Sequence, residues 1–213
     1  REYHAVCAVR GLERGRCKTR PFKIGKGWMK EMEKGFTPIA GGVTAAKGFM
    51  AASTAAGIKY SGRQDMAMIY SRIPCRAAGT FTTNIVKAAP VKWDQERIEE
   101  GAAAQAVVIN AGIANACTGQ EGMDYCSQTA EAAAQALGIP KESVLVASTG
   151  VIGMQLPMDR IAAGVAAMAP KLEEGLAGGE AASKAIMTTD TKNKEAAVQV
   201  EIGGATVTIG GMC

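Results

Sequence analysis

The chain has 213 residues, 47% of them hydrophobic and 21% charged, a balance that suits a globular protein with a buried core and not a disordered segment. Aromatic residues make up only 5% and His4 is the single histidine, which argues against a base-stacking surface, a histidine metal cluster, and a Ser-His or Cys-His couple. The net charge of +4 is uneven: residues 1–34 hold 10 Lys/Arg against 4 Asp/Glu, and the rest holds 14 against 16, a net of −2, so no basic groove for nucleic acid is expected and only an N-terminal arm could meet phosphate or an acidic membrane surface.

Residues 1–28 have no hydrophobic period and are rich in Arg, Lys and Gly. They read as a tail or translated upstream sequence, with Met29 or Met32 as a natural start and a folded domain over 29–213. An Arg-rich organelle-targeting segment is the alternative, weakened by the shortage of Ser. The segment lacks the apolar stretch of a signal peptide, and no run of about 18 uncharged apolar residues predicts a membrane helix.

From Gly41 onward, short β-like runs alternate with Ala-rich helical stretches. Met66–Tyr70, Ala106–Ile109 and Ser143–Ala147 are apolar runs bounded by polar or Gly punctuation and predict buried strands. Asp94–Ala104 and Asp124–Leu137 predict helices, the second stopped by Gly138 and Pro140. Between Pro157 and Pro170, Met158–Met168 predicts a third, with Ile161, Val165 and Met168 on one stripe. Ala196–Ile202 and Ala205–Ile209 flank Gly203-Gly204, which predicts a β-hairpin because a two-residue turn of the right twist needs positive φ at both positions. The fold class is α/β with mixed sheets packed with helices.

The six cysteines (Cys7, Cys17, Cys75, Cys117, Cys126, Cys213) form no CxxC pair. They are expected to be small buried hydrophobes in a reducing compartment, with neither a metal site nor a disulfide framework.

Three segments are polar or Gly-rich enough to carry chemistry. Ser143–Gly153 runs from a buried strand into Thr149-Gly150-Val151-Ile152-Gly153. Glycines there let backbone N–H groups approach a ligand, and Thr149 adds a hydroxyl donor, so the loop suits an oxyanion; an ordinary strand-to-helix turn explains the same spacing. Thr188-Thr189-Asp190-Thr191 offers three hydroxyls and a carboxylate, suited to an amino-acid ammonium or carboxylate, or equally to a cap or turn. Asn110–Gly119 and Gly41–Gly48 are Gly-rich but carry neither GxGxxG nor GxxxxGK[ST] spacing, so neither predicts a nucleotide site.

Six blocks in order, Gly41-Gly-Val-Thr-Ala-Ala-Lys-Gly-Phe49, Phe81-Thr-Thr-Asn84 with Val86-Lys-Ala-Ala-Pro90, Asn115-Ala-Cys-Thr-Gly119, Ser148-Thr-Gly-Val-Ile-Gly153, Met187-Thr-Thr-Asp-Thr191 and Gly210-Gly-Met212, resemble the ornithine acetyltransferases, the bifunctional glutamate N-acetyltransferases of arginine biosynthesis. The resemblance runs from about residue 30 to the last residue. It implies the N-terminal (α) half of a self-cleaving N-terminal-threonine acyltransferase, in which an internal threonine freed by autocatalytic cleavage takes the acetyl group of N2-acetylornithine and passes it to glutamate. Its own α-amine would serve as base, in keeping with the near absence of histidine. By similarity, Thr149 (side chain) and Gly150 (backbone N–H) form the oxyanion hole and Thr188 contacts substrate. The resemblance further implies no metal and no bound cofactor, with acetyl-CoA as an optional second donor, a β chain from the same precursor as partner in a heterotetramer or larger assembly, and residence in the cytoplasm or, alternatively, the mitochondrial matrix.

Two departures stand out. In the family the Gly-Gly-Met block leads into Ala-Lys-Gly-Ser-Gly-Met and Pro-Asn-Met-Ala-Thr-Met, which bring a substrate-binding lysine, the scissile bond and the nucleophile. The present sequence stops at Cys213, where the family has Ala, so this polypeptide alone is expected neither to cleave itself nor to transfer acetyl groups. Asn110-Ala-Gly-Ile-Ala-Asn115 also replaces the family's Asn-Ser-Gly-Asn-Ala-Asn, and a shift in substrate affinity or preference is expected from the two lost polar groups. The alternative to an acyltransferase half is a non-catalytic ligand-binding α/β domain or a truncated pseudoenzyme.

Overall fold

Two sheets organise residues 35–213, the part of the chain that the computed structural model describes; the expectations for residues 1–28 lie outside it. The strands are β1 (Phe36–Ile39), β2 (Phe49–Thr54), β3 (Met66–Cys75), β4 (Ala104–Ile113), β5 (Val144–Val151), β6 (Glu195–Ile202) and β7 (Ala205–Met212). The helices are α1 (Ala89–Glu99), α2 (Gly119–Leu137), α3 (Met158–Met168) and α4 (Leu176–Ala185). One sheet has the order β2-β3-β4-β5, antiparallel except for the parallel pair β4/β5, and the other has the antiparallel order β1-β6-β7. The expected mixed α/β class is what the chain adopts. No helix among the described residues is long and apolar enough to cross a membrane.

The four-stranded sheet is buried on both faces, and strand alternation sorts its residues into two layers. Even-numbered Met66, Met68, Ala106, Val108, Val144 and Val146 pack with Trp93 of α1, Ala130 and Ala133 of α2, and Ile161, Val165 and Met168 of α3. Odd-numbered Ala67, Ile69 and Ile109, with Ala147 at their margin, pack with Ala182 and Ala185 of α4 and with Val43, Phe49, Ala51 and Met212. The three-residue stripe of α3 therefore points into the first layer, as its spacing predicts.

One glycine of each Gly-Gly pair, Gly42 and Gly210, packs where β7 meets the segment before β2. A Cβ on Gly210 would stand 2.0 Å from the Gly42 carbonyl oxygen, and one on Gly42 would stand 2.8 Å from Glu195 Oε2. Bare backbone is thus required at Gly42 and Gly210, where β7 meets the segment before β2.

Several expected boundaries move. The helix expected at Asp94–Ala104 begins five residues earlier, at Ala89, because Pro90 occupies its first turn, and it ends before Gly101, which sits at φ +74°. Ala104 is already strand. The helix expected from Asp124 starts at Gly119, while its stop is as expected, with Gly138 left-handed at φ +67°. Asn110–Ile113, which the sequence suggests as the start of a loop, continues β4, and Ser148–Val151 continues β5, paired residue for residue. The hairpin turns at Gly203-Gly204, both with positive φ. Strands β1 and β2 have no counterpart among the expected elements. Of the four described cysteines, Cys126 is buried and Cys75 half-buried, whereas Cys117 and Cys213 are exposed, against the expectation of burial; none is in a disulfide.

Candidate functional site

Strand β5 lies at the edge of its sheet, and its outer side is capped only in part. Trp93 Nε1–H donates to the Val144 carbonyl (3.1 Å), and the Val146 N–H donates to Asp94 Oδ1 (2.9 Å). Residues 144 and 146 therefore direct their backbone polar groups away from β4. Odd-numbered residues face the other way: the Ala114 N–H donates to the Val151 carbonyl (2.9 Å) and the Gly153 N–H to the Ala116 carbonyl (2.8 Å). The alternation carries the Gly150 N–H to the outer edge, past the two caps of α1. No loop carbonyl among the described residues accepts it.

Thr149 belongs to the odd-numbered face, on the side of the layer shared by α4 and Met212. Its side chain is partly exposed at the end of that layer. Its hydroxyl makes no hydrogen bond to a described residue. One strand end thus presents a hydroxyl and, at the next residue, a backbone donor. Thr188 follows α4, whose Ala182 and Ala185 pack in that same layer, and is half-buried. Met212, at the end of β7, lies in that layer. The remaining members of the Thr188 cluster lie on the surface. Thr189, Asp190 and Thr191 are exposed, and Lys194 Nζ holds Asp190 at 2.6 Å.

At this level the two parallel strands leave no room for a side chain. Gly112 (φ +112°) and Gly150 (φ +135°) are register partners. A Cβ on Gly150 would lie 2.2 Å from the Gly112 carbonyl carbon, so the spacing admits no side chain. The loop before β3 closes over the other side of Gly112, where a Cβ would stand 2.9 Å from that of Lys59. This loop is fastened by buried Asp65, whose Oδ1 accepts the Ala56 N–H (2.7 Å) and Oδ2 the Ile58 N–H (2.6 Å). From the same loop Arg63 donates to the Met187 carbonyl, next to Thr188. Asp65 thus holds the loop's own shape, and Arg63 ties the loop to the segment that carries Thr188. Sequence reasoning missed both, although a carboxylate directly before an apolar strand was a signal.

Behind the strand ends, Asn115 adopts φ +41°, a conformation that asparagine tolerates better than other side-chain-bearing residues. It is buried, donates to the Gly122 carbonyl (3.0 Å) and accepts from the Thr118 hydroxyl (2.9 Å). Ala111 and Ile113, the two positions read as having lost polar groups, are both buried, Ile113 within the α2/α3 layer. Here the brace comes from Asn110 and Asn115.

Asp94 links this edge to pH. Burial pushes its carboxyl from 3.8 up to about 7, against the opposing effect of the Val146 N–H. The Cys126 thiol is pushed up to about 12, mostly by burial and then by the nearby Asp94 charge, so it stays protonated and unreactive. Because the folded state holds the Asp94 proton more tightly than the unfolded chain does, stability is expected to fall as pH rises from about 4 to about 7 and to level off above. Asp94→Asn keeps an acceptor for Val146 and removes the charge. It is expected to raise the urea midpoint at pH 8 by an amount equivalent to a few kcal/mol at most, because each pH unit separating folded and unfolded titration is worth about 1.4 kcal/mol, and to leave pH 4 unchanged. An equal change at both pH values would show that the carboxyl is ionised throughout.

No group of three or more His, Cys, Asp or Glu among the described residues is arranged to hold a metal ion.

The ArgJ family model matches residues 50–213. The arginine biosynthesis bifunctional protein ArgJ of Symbiobacterium thermophilum is 56% identical over 176 residues, which is 82% of this chain and 43% of that protein. The protein of the same name from Gloeobacter violaceus is 48% identical over 177 residues, 83% of this chain and 43% of that protein. The chain therefore spans less than half the length of these relatives. Among solved structures, ArgJ from Bacillus halodurans superposes with a TM-score of 0.79 at 41% identity, covering 84% of this chain and 92% of that one. Ornithine acetyltransferase from Mycobacterium tuberculosis, solved with ornithine, gives 0.76 at 44% identity, covering 84% and 94%.

Proposed function

The chain belongs to the ArgJ family, and on that premise we propose that residues 29–213 are the α portion of an acyltransferase that moves an acetyl group from N2-acetylornithine to glutamate through an acetyl-threonine intermediate. The carrying observation is the end of β5, where a Thr149 hydroxyl with no partner among the described residues and an outward Gly150 N–H stand at adjacent residues. In each half-reaction an attacking hydroxyl or amine converts the acyl carbonyl into a tetrahedral oxyanion. Thr149 and Gly150 supply the donors that hold this charge, and preorganised donors of this kind lower the barrier because they need no reorientation as the charge develops. Thr188 contacts the amino-acid substrate. The nucleophilic threonine lies on a segment beyond Cys213 and uses its own α-amine as base. Acetyl-CoA is a second donor for the same intermediate.

The surface supports a partner segment, the β chain of the same precursor. On one face of the three-stranded sheet Phe36, Val198, Val200, Ile202 and Ile209 lie together, and Phe36, Ile202 and Ile209 are exposed. Val151, Ile152 and Met154 are exposed immediately beyond the Thr149-Gly150 edge. Contiguous apolar surface of this kind is typical of an interface. An assembled α/β heterotetramer or larger oligomer in the cytoplasm completes the proposal.

The test compares the purified 213-residue chain with the product of the complete reading frame in an acetylornithine:glutamate exchange assay. The complete product is expected to cleave itself and turn over, and the 213-residue chain to give no signal above background. Transfer by the 213-residue chain would refute the placement of the nucleophile, and an inactive complete product would refute the function.

A further inference from the structure

The Thr149-Gly150 donors sit where both strands leave ordinary β geometry, since Gly112 and Gly150 have positive φ at the same level of the ladder. Regular pairing alone does not fix the direction of groups at such a point, and backbone held in sparsely populated regions persists only where its surroundings over-determine it. One buried side chain supplies that constraint. Asn110 is 5% exposed and is the register partner of Ser148, the residue immediately before Thr149. The Ser148 hydroxyl donates to Asn110 Oδ1 at 2.6 Å, and Asn110 Nδ2 donates to the Ile113 carbonyl at 2.9 Å. Because the Ile113 carbonyl can only accept, the amide has one workable orientation, and the Ser148 hydroxyl must then be the donor of the pair. A single carboxamide therefore spans the irregular end of β4 and clamps β5 one residue ahead of the donors. Both side chains project toward the α2/α3 layer, where they line a small internal cavity with Met66, Val108 and Leu156, on the face opposite Thr149.

We infer that Asn110 and Ser148 are positioning residues, a coupled pair that aims the Thr149 hydroxyl and Gly150 N–H at the developing oxyanion; this rests on the oxyanion reading above. Misplacing a donor by about 1 Å costs on the order of 10²-fold in rate, so the pair should be visible in kcat although it lies on the face opposite Thr149.

The experiment uses the complete, self-cleaved enzyme. Steady-state acetylornithine:glutamate exchange and urea unfolding are measured for Asn110→Ala, Ser148→Ala, the double variant and Ser148→Thr, with Thr149→Ala as reference. Each single alanine variant is expected to lower kcat by about tenfold or more with KM within about twofold. The double variant should be no worse than the more damaged single, because either change releases the same clamp. Ser148→Thr, which keeps the hydroxyl, should restore kcat to within about threefold of wild type. Should Asn110→Ala fail to fold, the Ser148→Ala and Ser148→Thr comparison decides. Unchanged kcat in Ser148→Ala with a lowered urea midpoint would overturn the inference and leave the pair a purely structural contact, as would a rise confined to KM. A normal kcat in the pair variants alongside a damaged Thr149→Ala sinks positioning alone, whereas an undamaged Thr149→Ala sinks the oxyanion reading itself.

Discussion

Thr149→Ala in the complete enzyme is expected to lower kcat by about 10²–10³-fold while KM for N2-acetylornithine and glutamate changes only a few-fold, the loss seen when one oxyanion donor is removed from an acyl-transfer site. The asymmetry follows from where the hydroxyl sits. It has no partner among the described residues, so its removal breaks no native hydrogen bond and leaves no buried group unsatisfied; folding should be nearly unaffected. Its contribution arises when charge builds on the acyl oxygen, and a donor that acts on the transition state more than on the ground state appears in kcat. Thr149→Ser retains the donor and should keep most of the activity. A variant that raises KM and spares kcat would place Thr149 in ground-state binding instead. Single-turnover measurement of acetyl-enzyme formation separates these outcomes from a change in product release.

The legible parts of the fold were those with punctuation. Pro157 and Pro170 bracket α3 so tightly that Met158–Met168 is both expected and observed, and Gly203-Gly204 fixes the hairpin by the conformation it alone tolerates. Strand β1 was not legible. Phe-Thr-Pro-Ile is mostly exposed, contains a proline acceptable only because β1 is an edge strand, and pairs with β6 some 160 residues later in the chain. Strand β2, Phe-Met-Ala-Ala-Ser-Thr, is buried on both sides through small residues that give no alternation. At the site, Thr149 and Gly150 could be singled out as donors next to a strand, but their place within β5 could not. Whether Ser148–Val151 stays paired depends on Gly112 and Gly150 meeting across the ladder, a contact between residues 38 apart. Asn110 was visible as a polar residue ending the apolar run Val107-Val108-Ile109, yet its bond to Ser148 required the register.

Gly150→Ala is expected to be far more damaging than Thr149→Ala, and for a different reason. The new methyl would lie 2.2 Å from the Gly112 carbonyl carbon, 2.3 Å from its oxygen and 2.7 Å from the Ile113 nitrogen. All three are backbone atoms that no rotamer change can move. The required φ of +135° is also strained for any residue with a Cβ. Relief demands that the end of β5 separate from β4, which frees Thr149 and the 150 N–H from their fixed direction and breaks the pairing of Ile113 with Val151. We expect loss of about 4 kcal/mol or more of stability, in the range of severe overpacking and backbone strain, with exchange activity down at least 10³-fold in whatever folds. Gly153→Ala is the control. Gly153 also has positive φ, +76°, but nothing stands within 4 Å of where its Cβ would be. Its cost should be only the roughly 1–2 kcal/mol of left-handed strain. If both alanine variants unfolded at the same urea concentration, the close approach of β4 and β5 would have no energetic weight, and the fixed aim of the donors would lose its structural basis. A large gap between them, with activity lost only in Gly150→Ala, would locate the catalytic geometry in that backbone contact.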